Sequence, residues 1–476
     1  MMIFIFGLVA LLLGFLFYGK LAEKIIKPFK KTTPAYALED GVDYVPMPTW
    51  KNHMIELLNI AGTGPIFGAL MGAKWGPVAY LWVIFGCILG GAVHDYFSGM
   101  ISVRNNGVSI TKLAPKYLGA RSRYLVLAFL LGVLILATAM MAKSACDLLV
   151  FLTDIPMGVW LVVISAYFLV SALLPIDKLI GKVYPVFGVL LIVMAIVIIA
   201  GLVTGGYEFP TMTFENLHPQ GEPIFPDMCI TIACGAVSGF HATQSTLMAR
   251  CIKDEKDGHV VFYGAMIVEG FIALIWVTAG LTFYPDTLSL SNALAASGAS
   301  GVVYDISTTL AGPVGGVLAI IGVIVCPITT GDTAVRSLRL IVQDDRGWNS
   351  KNMKNSVAIT LVAIGIVVLL CLLDFQSLWY YMSWFNQTLA CITLWTCTVF
   401  IMKIAKKKVY SLITGIPGIF MTMVVSSFIL HWDKGLRLDY NVSLIIGAVF
   451  TVILTIIYLR AFLLSRPAED DVTSDL

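Results

Sequence analysis

The sequence predicts an all-α integral membrane protein built on a five-plus-five inverted repeat of helices. Composition is the first observation, because 58% of the 476 residues are hydrophobic, 13% are charged and the mean hydropathy is +0.88. Soluble domains carry about 25% charged residues. The composition therefore excludes a soluble enzyme, a disordered chain and a nucleic-acid-binding protein, and it makes the lipid bilayer the expected surroundings.

Thirteen apolar runs form the second observation. Each is long enough to cross the hydrocarbon layer as a helix, which takes about 20 residues. We number them one to thirteen; they lie near residues 2–18, 54–72, 77–102, 122–150, 158–175, 183–205, 229–250, 260–284, 312–335, 355–373, 376–402, 409–431 and 441–464.

Lysine and arginine are distributed unevenly between the loops that join these crossings. With the N-terminus outside the cell, the cytoplasmic loops hold 27 of the 31 Lys and Arg residues and the outer loops hold three. Cytoplasmic loops are enriched in these residues, and a miscounted crossing would invert every later loop. The sequence thus predicts a multi-pass protein of the cell membrane, with its N-terminus outside and its C-terminus in the cytoplasm.

The predicted organisation has six parts, two of which are repeats of five crossings. In order they are an extra N-terminal crossing (1–20), a cytoplasmic loop (21–53), the first inverted repeat (54–205), the second inverted repeat (229–402), two C-terminal crossings (409–464) and an acidic cytoplasmic tail (465–476).

Two interrupted crossings form the third observation. The second crossing contains Ala61, Gly62, Thr63, Gly64 and Pro65, and the seventh contains Ser238, Gly239, Phe240, His241 and Gln244. Glycine weakens a helix, and proline lacks the backbone donor. Unwound backbone at membrane depth is tolerated only where protein or a water-filled cavity satisfies its polar groups.

These interruptions occupy matching positions in the two repeats, in crossings of opposite direction. Paired broken helices mark the substrate site of inverted-repeat secondary transporters. Half-helix N-termini offer N–H groups to anions, and half-helix C-termini offer carbonyl oxygens to cations. Close helix packing at small residues is the alternative interpretation. We predict that the ten residues just named bind the substrate.

Five stretches carry a resemblance to a known family. They are Thr33–Pro46, Asn59–Ile66 (NIAGTGPI), Gly91–Asp95 (GAVHD), Ser238–Cys251 (SGFHATQ with MARC) and Thr329–Ala334 (TTGDTA). The chain resembles the carbon starvation protein A family of peptide and pyruvate transporters, in the amino acid–polyamine–organocation superfamily. The resemblance implies the LeuT-like five-plus-five fold.

Asp332 stands among Thr329, Thr330 and Thr333 in the ninth crossing. A carboxylate with hydroxyls suits a small hard cation such as sodium, and a buried carboxylate can instead carry a proton. The resemblance implies that this part of the helix faces the first broken helix and holds a coupling sodium ion. The alternative is an ion pair with Arg336, one turn further on.

Other polar residues inside the crossings are candidates because burial makes them costly. We assign Glu56 and Asn59 to the coupling ion or proton, and Lys143 to a substrate carboxylate. A structural pair between Lys143 and Asp147, four residues on, is equally compatible with the pattern. We interpret five further residues as gating or structural: His94, Asp95, Asp147, Glu269 and Asn386. For His94, Asp95 and Glu269, a proton relay is the second interpretation.

The sequence favours a secondary active transporter that imports small carboxylated nutrients, namely pyruvate or short peptides, with a proton or sodium gradient. An uncoupled facilitator for organic anions is the alternative. No HExxH spacing or serine nucleophile elbow supports an enzyme. We expect no cofactor and no metal beyond a possible sodium ion, and the sequence leaves the oligomeric state open.

Overall fold

The computed structural model describes residues 1–29, 32–174, 180–348, 352–405 and 407–464. All regular secondary structure in these ranges is helical. The predicted acidic tail lies outside them. The thirteen predicted crossings correspond to α1 (Met2–Ile26), α2 (Thr49–Ile60 and Gly64–Trp75), α3 (Val78–Val103), α4 (Ser122–Thr153), α5 (Met157–Leu173), α6 (Ile180–Thr204), α7 (Ile224–Met228 with Cys229–Thr231, then His241–Met248), α8 (Glu255–Phe283), α9 (Thr287–Arg346), α10 (Met353–Leu370), α11 (Phe375–Ile404), α12 (Lys408–His431) and α13 (Tyr440–Leu464).

Ten of these helices are individually long and apolar enough to cross a membrane, and α2 becomes the eleventh if its two halves form one span. The halves of α2 are bent by 56° at residues 61–63. The two remaining predicted crossings are the 17-residue apolar helix α5 and the interrupted helix α7. We name the halves α2a and α2b, and the two helical parts of α7 become α7a and α7b.

Several helices extend beyond the apolar runs that predicted them. α1 continues to Ile26 and α2a begins at Thr49, because backbone hydrogen bonding continues past the point where the side chains become polar. The stretch 285–311 lies between the eighth and ninth predicted crossings and was expected outside the membrane. Its residues from Thr287 onward are also helical and form the first part of α9, which bends at Gly298 and Gly312.

The loops that carry the cytoplasmic prediction meet at one end of the helix bundle. Arg104 pairs with Glu255 at 3.0 Å, and Arg123 pairs with Asp345 at 2.8 Å. We call this the basic end. The predicted outer loops meet at the opposite end, where Thr287 Oγ1 donates to Leu217 O. Loops predicted to share a side of the membrane therefore lie together.

The three helices outside the repeats, α1, α12 and α13, pack on the flanks of the bundle. α12 packs against α11 and α13 packs against α12, while α1 packs along α8 and α3. Within the repeats, the long helix α9 packs against both α4 and α6. The interrupted helices α2 and α7 are thereby enclosed by other helices, which is the environment that non-helical backbone requires at membrane depth.

Gly239 lies where the backbone of the second interruption passes close to that of α11. A Cβ added to this residue would stand 2.1 Å from Ala390 N and 2.3 Å from Asn386 O. Both atoms belong to the backbone of α11, so neither can move aside as a side chain can. The substitution Gly239→Ala is therefore expected to lower stability by about 1–3 kcal/mol through overpacking.

Thermal unfolding of the detergent-solubilised protein measures this effect. Gly158→Ala is the matched control, because a Cβ on Gly158 meets nothing within 4 Å. Equal unfolding temperatures for the two variants would contradict the close approach.

Candidate functional site

The two interruptions touch one another. The first lies at residues 61–63 between α2a and α2b, and the second lies at residues 232–240 between α7a and α7b. A Cβ added to Gly64 would stand 2.0 Å from the Cβ of Cys234. The two stretches predicted to bind substrate are therefore neighbours in the interior of the helix bundle, where Thr63, Ser238 and His241 are all fully buried.

Asn386 of α11 satisfies the backbone of the second interruption. Phe240 N donates to Asn386 Oδ1 at 2.6 Å, and Gly239 N donates to the Asn386 carbonyl oxygen at 3.2 Å. The Asn386 side chain also contacts Ser238 Oγ at 3.1–3.2 Å. In this conformation the N–H groups of Gly239 and Phe240 are engaged by protein rather than offered to an anion.

The first interruption is supported by α9 and α4. Thr330 Oγ1 donates to Leu58 O at 2.9 Å, near the carbonyl end of α2a. Thr63 Oγ1 contacts Met141 Sδ at 3.6 Å, and the same sulfur lies 2.8 Å from the position of a Cβ on Gly62. The first broken helix thus rests on α9, as the family resemblance implied.

Asp332 and Thr333 of the predicted cation set point elsewhere. Asp332 Oδ2 accepts a hydrogen bond from Tyr184 OH of α6 at 2.6 Å, and Thr333 Oγ1 donates to carbonyl oxygens of its own helix. Thr329 Oγ1 has its shortest hydrogen bonds within that helix, and it also lies 3.4 Å from Leu58 O. Residues two positions apart on a helix do not share a face, so Asp332 and Thr330 do not surround one point.

A chain of buried titratable groups lies on α3, α7b and α8. Asp95 is central, because its Oδ1 lies 2.7 Å from His94 Nδ1 and its Oδ2 lies 2.9 Å from His241 Nδ1. On the far side of its ring, His241 Nε2 lies 3.6 Å from Glu269 Oε2. All four side chains are fully buried. We call these four residues together with Glu56 the acid–histidine cluster.

Glu56 brings α2a into this cluster. Its Oε1 accepts a hydrogen bond from Ser245 Oγ at 2.8 Å, and Ser245 lies one helical turn after His241 on α7b. Several buried polar atoms in this region have no hydrogen-bond partner among the described residues: Glu56 Oε2, Asn59 Oδ1 and Nδ2, His94 Nε2, His241 Nε2, Gln244 Oε1, and both carboxylate oxygens of Glu269. Such atoms are costly to bury, so their concentration beside the interruptions identifies a polar interior that suits proton transfer or solute binding.

The ion pairs of this cluster join only histidines to carboxylates, as far as the described residues show. One subset, formed by Cys234, His241 and Glu269, places ligand-type atoms within 4.8 Å of one another. Ligands of a tetrahedral zinc ion lie 2.0–2.3 Å from the metal and hence about 3.5 Å apart. Asp95 orients His241 through Nδ1 and leaves Nε2 directed at Glu269, an arrangement that is compatible both with proton exchange and with a metal ligand.

Comparison with known proteins identifies the family. Residues 1–159, 147–303 and 291–427 match the family described as carbon starvation protein CstA. The chain belongs to the carbon starvation protein CstA family.

Three relatives of this CstA-family chain show how far the similarity extends. An uncharacterized membrane protein of Haemophilus influenzae is 41% identical over 352 aligned positions, which cover 62% of this chain and 95% of the relative. The peptide transporter CstA of Bacillus subtilis is 24% identical, with 83% of this chain and 84% of the transporter covered. The pyruvate/proton symporter BtsT of Escherichia coli is 28% identical, with 56% of this chain and 46% of the symporter covered.

Solved structures confirm the LeuT-like fold that the resemblance implied. A manganese transporter of Eremococcus coleocola, in complex with an aromatic bis-isothiourea compound, has a TM-score of 0.52 at 13% identity, covering 89% of this chain and 99% of its own. A substrate-bound, outward-open Na⁺-coupled sialic acid symporter has a TM-score of 0.51 at 15% identity, covering 98% of both chains. The sequence analysis therefore predicted the family and the fold correctly.

Three residues of the CstA-family site were not among the sequence candidates. Ser245 bonds Glu56, Tyr184 bonds Asp332, and Cys234 contacts the first interruption. The position of Ser245, four residues after His241, was a usable signal, because such residues share a helix face. Tyr184 carried no signal in the sequence, since its role depends on how α6 packs against α9.

Lys143 is not brought to the interruptions in this conformation. Its ammonium donates to Cys371 O at 3.3 Å, and Cys371 Sγ contacts Ala139 O one turn earlier on α4. Met141, which supports the first interruption, lies two residues away and therefore on the other side of the helix. Asp147 lies on the wall of a cavity of about 280 Å³ toward the outer end, beside Phe375.

We expect Lys143→Met to leave the half-saturating substrate concentration for uptake close to the wild-type value, because the ammonium faces α10 rather than the interruptions. Uptake into proteoliposomes as a function of external substrate concentration measures this. Asp147→Asn serves as the control for charge removal on the same helix face. A clear rise in the half-saturating concentration for Lys143→Met alone would place the lysine on the substrate pathway.

Proposed function

We propose that this CstA-family protein is a secondary active transporter that imports small carboxylated nutrients together with protons, by alternating access. The observation that carries the proposal is the acid–histidine cluster: three carboxylates and two imidazoles, fully buried and linked across four helices. The cluster adjoins the two interruptions, so the groups that would hold protons and the backbone that would hold substrate are neighbours.

Charge balance favours protons as the coupling ions. Isolated buried charges are very costly, and buried carboxylates commonly avoid the cost by binding a proton. In this cluster the partners of the carboxylates are imidazoles and a serine hydroxyl, which exchange or share protons readily. Histidine is the side chain whose ordinary pKa lies nearest to physiological pH. A proton that enters here therefore finds several acceptors close together, of which Asp95 is hydrogen-bonded to both imidazoles.

The geometry of the residues predicted to bind sodium also favours a proton as the coupling ion. The hydroxyl of Thr330 donates to Leu58 O at 2.9 Å, in the position where a cation between α2 and α9 would compete for that carbonyl. Asp332 is held by Tyr184 on another face. The Thr329 hydroxyl lies 3.4 Å from the same carbonyl, so two hydroxyls and one carbonyl oxygen meet here without the carboxylate of Asp332, which a sodium site in this set was expected to include.

The cluster also suggests how protonation moves the transporter. Its members lie on α2a, α3, α7b and α8, which we propose to be the moving bundle, while α4, α5, α6 and α9 form the scaffold. Gain or loss of a proton changes the attraction between Asp95 and His241, and between His241 and Glu269. Such a change alters the packing of the four helices together, and a differential effect on two states is what shifts their populations.

We propose that the substrate binds between residues 61–65 and residues 238–244. The relatives named as a peptide transporter and as a pyruvate/proton symporter support a carboxylated substrate. The predicted orientation in the cell membrane, with the N-terminus outside, is part of the same proposal. An uncoupled facilitator for organic anions is the second candidate. The cluster argues against it, because an anion path alone would not need the cluster.

Uptake into proteoliposomes tests the proposal. Labelled pyruvate and a labelled dipeptide are offered separately, first with an inward proton gradient and then with an inward sodium gradient. Accumulation above the external concentration under the proton gradient is the expected result. Equilibration without any response to either gradient would support the facilitator, and accumulation only under the sodium gradient would contradict the role of the cluster.

Glu269→Gln is expected to abolish proton-driven accumulation while leaving exchange of labelled for unlabelled substrate measurable. The amide keeps the size of the side chain but does not titrate, so the bundle still moves while a proton-binding group is lost. The matched variant is Asp332→Asn, which neutralises a buried carboxylate of α9 outside the cluster. If Asp332→Asn abolishes accumulation and Glu269→Gln does not, the coupling proton resides on α9.

A further inference from the structure

Three arginines are buried at the basic end, beyond the site described above. Arg336 of α9 is fully buried, and Arg339, one turn further, is 5% exposed. Arg250, two residues after the end of α7b, is 7% exposed. Arginine is almost never this deeply buried without partners, so the groups that face these side chains are informative.

Arg336 uses only part of its donor capacity. Its Nη2 donates to Ser171 O and Leu174 O, both at 2.7 Å, at the end of α5. Its Nε and Nη1 have no hydrogen-bond partner among the described residues, although both are buried. Guanidinium N–H groups match carboxylate oxygens in geometry and charge. The unused donors of Arg336 are therefore suited to an incoming carboxylate.

Asp43 faces these unused donors without bonding them. Its Oδ1 lies 3.8 Å from Arg336 Nη1, which is longer than a hydrogen bond, and the same oxygen has no other partner among the described residues. Asp43 is 3% exposed. A carboxylate and a guanidinium are thus buried opposite one another and attracted, but neither satisfies the other.

Asp43 belongs to residues 33–47, which we call the inner loop. The inner loop lies over the basic end of α7. Thr33 Oγ1 donates to Ile252 O at 2.6 Å, and Met47 N donates to Cys251 O at 3.1 Å. Cys251 is fully buried beneath the loop, with its sulfur 3.8 Å from the carbonyl oxygen of Asp43. Opening of the loop would expose Cys251.

The depth of Arg336 places it between the interruptions and the basic end. Thr330 contacts the first interruption, and Arg336 follows six residues later on the same helix. Six residues of α-helix rise by roughly 9 Å. Thr329, whose hydroxyl also lies 3.4 Å from Leu58 O, stands seven residues before Arg336 and therefore on the same face of α9. A solute that moves from Leu58 along this face toward the basic end would reach Arg336, where Asp43 of the inner loop stands.

We propose that Arg336 receives the carboxylate of the departing substrate, and that Asp43 is a tethered carboxylate that keeps the inner loop closed on Arg336 until the substrate carboxylate replaces it. The ligand class is a small monocarboxylate, either a 2-oxo acid or the C-terminus of a peptide. The inference rests on the proposed transport function, and it adds a carboxylate-binding residue and a gate.

The replacement follows from competition between two carboxylates for one cation. The substrate carboxylate reaches N–H groups of Arg336 at bonding distance, which Asp43 does not. A carboxylate that is hydrogen-bonded to a guanidinium is held more strongly than one that stands 3.8 Å away, so the substrate wins when it is present. Asp43 then loses its buried partner, and a buried carboxylate without a partner is driven toward water. The inner loop moves outward with it and uncovers the pathway.

Alkylation of Cys251 reports the state of the inner loop directly. Purified full-length protein in lipid nanodiscs is treated with N-ethylmaleimide, and the rate at Cys251 is read by peptide mass spectrometry. Without substrate, Asp43→Asn should raise this rate by roughly tenfold, less than the loss of a hydrogen-bonded buried pair would give, because Asp43 stands 3.8 Å from Arg336. The control is Asp345→Asn, which removes a carboxylate paired with Arg123 at 2.8 Å at the same end and should leave the rate unchanged.

Substrate arms of the same assay test the carboxylate. Pyruvate or a dipeptide should raise the Cys251 rate in the wild type, whereas pyruvamide or the dipeptide C-terminal amide should not. A response to pyruvate only, or to the dipeptide only, assigns the carboxylate source. An equal response to the amides would overturn the role of Arg336 as a carboxylate receiver.

A sidedness measurement provides a second variant in case Asp43→Asn does not fold. Arg336→Lys keeps the positive charge but loses the guanidinium geometry. We expect the half-saturating substrate concentration at the basic end to rise by roughly tenfold, with the value at the outer end unchanged. A structural defect would affect both sides alike. Equal changes on the two sides would therefore contradict the proposal.

The outcomes separate this inference from the transport proposal. If the wild type accumulates substrate but Asp43→Asn leaves Cys251 alkylation unchanged, the gate is wrong and transport stands. If the wild type carries neither substrate, transport is wrong, and the substrate-free rate of Asp43→Asn still shows whether Asp43 holds the inner loop closed.

Discussion

The satisfaction of unwound backbone at membrane depth is the constraint on which the rest of the structure depends. Glycine-rich interruptions free backbone N–H and C=O groups where lipid offers no partner. Here the partners are side chains from other helices: Asn386 for the second interruption and Thr330 for the first. Both come from the second repeat, so the first repeat is joined to the second through the carbonyl of Leu58. Any motion of α2 against α9 must exchange that bond.

The same need for a partner inside the protein applies to the ionisable side chains. A buried carboxylate such as Glu269 is acceptable only if protein keeps it from lipid and offers it a partner. The extra helix α1 contributes to the first requirement, because Leu11 packs near Gly270, the neighbour of Glu269 on α8. His241 supplies the second. The helix outside the repeats therefore supports the bundle at the depth of its most polar residues.

Local sequence properties predicted the elements but not the pairings. Apolar length and the lysine and arginine bias predicted the crossings. Glycines among polar residues predicted both interruptions, with Pro65 as a further signal in the first. These signals are local, so they survive without tertiary information. The contact between Asp95 and His241 spans 146 positions and depends on the rotation of two helices about their axes. No one-dimensional pattern contains that rotation.

The candidate site shows the same division. Asp332 and Thr330 were assigned to one cation site because they are close in sequence. In the structure they lie on different faces of the helix, and Asp332 accepts a hydrogen bond from Tyr184. Lys143 was assigned to a substrate carboxylate because it is a lone cation in a crossing, whereas the structure directs it to Cys371 O. Charge type and depth were predictable; the direction of each side chain was not, because it follows from packing.

The distribution of charge along the pathway gives an order to the proposed cycle. The acid–histidine cluster is rich in carboxylates, so an anionic substrate beside it is repelled unless protons have already bound. Arg336 lies roughly 9 Å further along α9 and offers the opposite charge. Protonation first and anion entry second is therefore the favourable sequence, and transfer of the carboxylate to Arg336 then removes the negative charge from the cluster's neighbourhood. The protons can leave once that charge has moved on, because the substrate anion that favoured their binding is no longer beside the carboxylates of the cluster. In this scheme the substrate and the proton need not touch. Coupling requires only that the cluster and Arg336 are close enough for their charges to interact without screening.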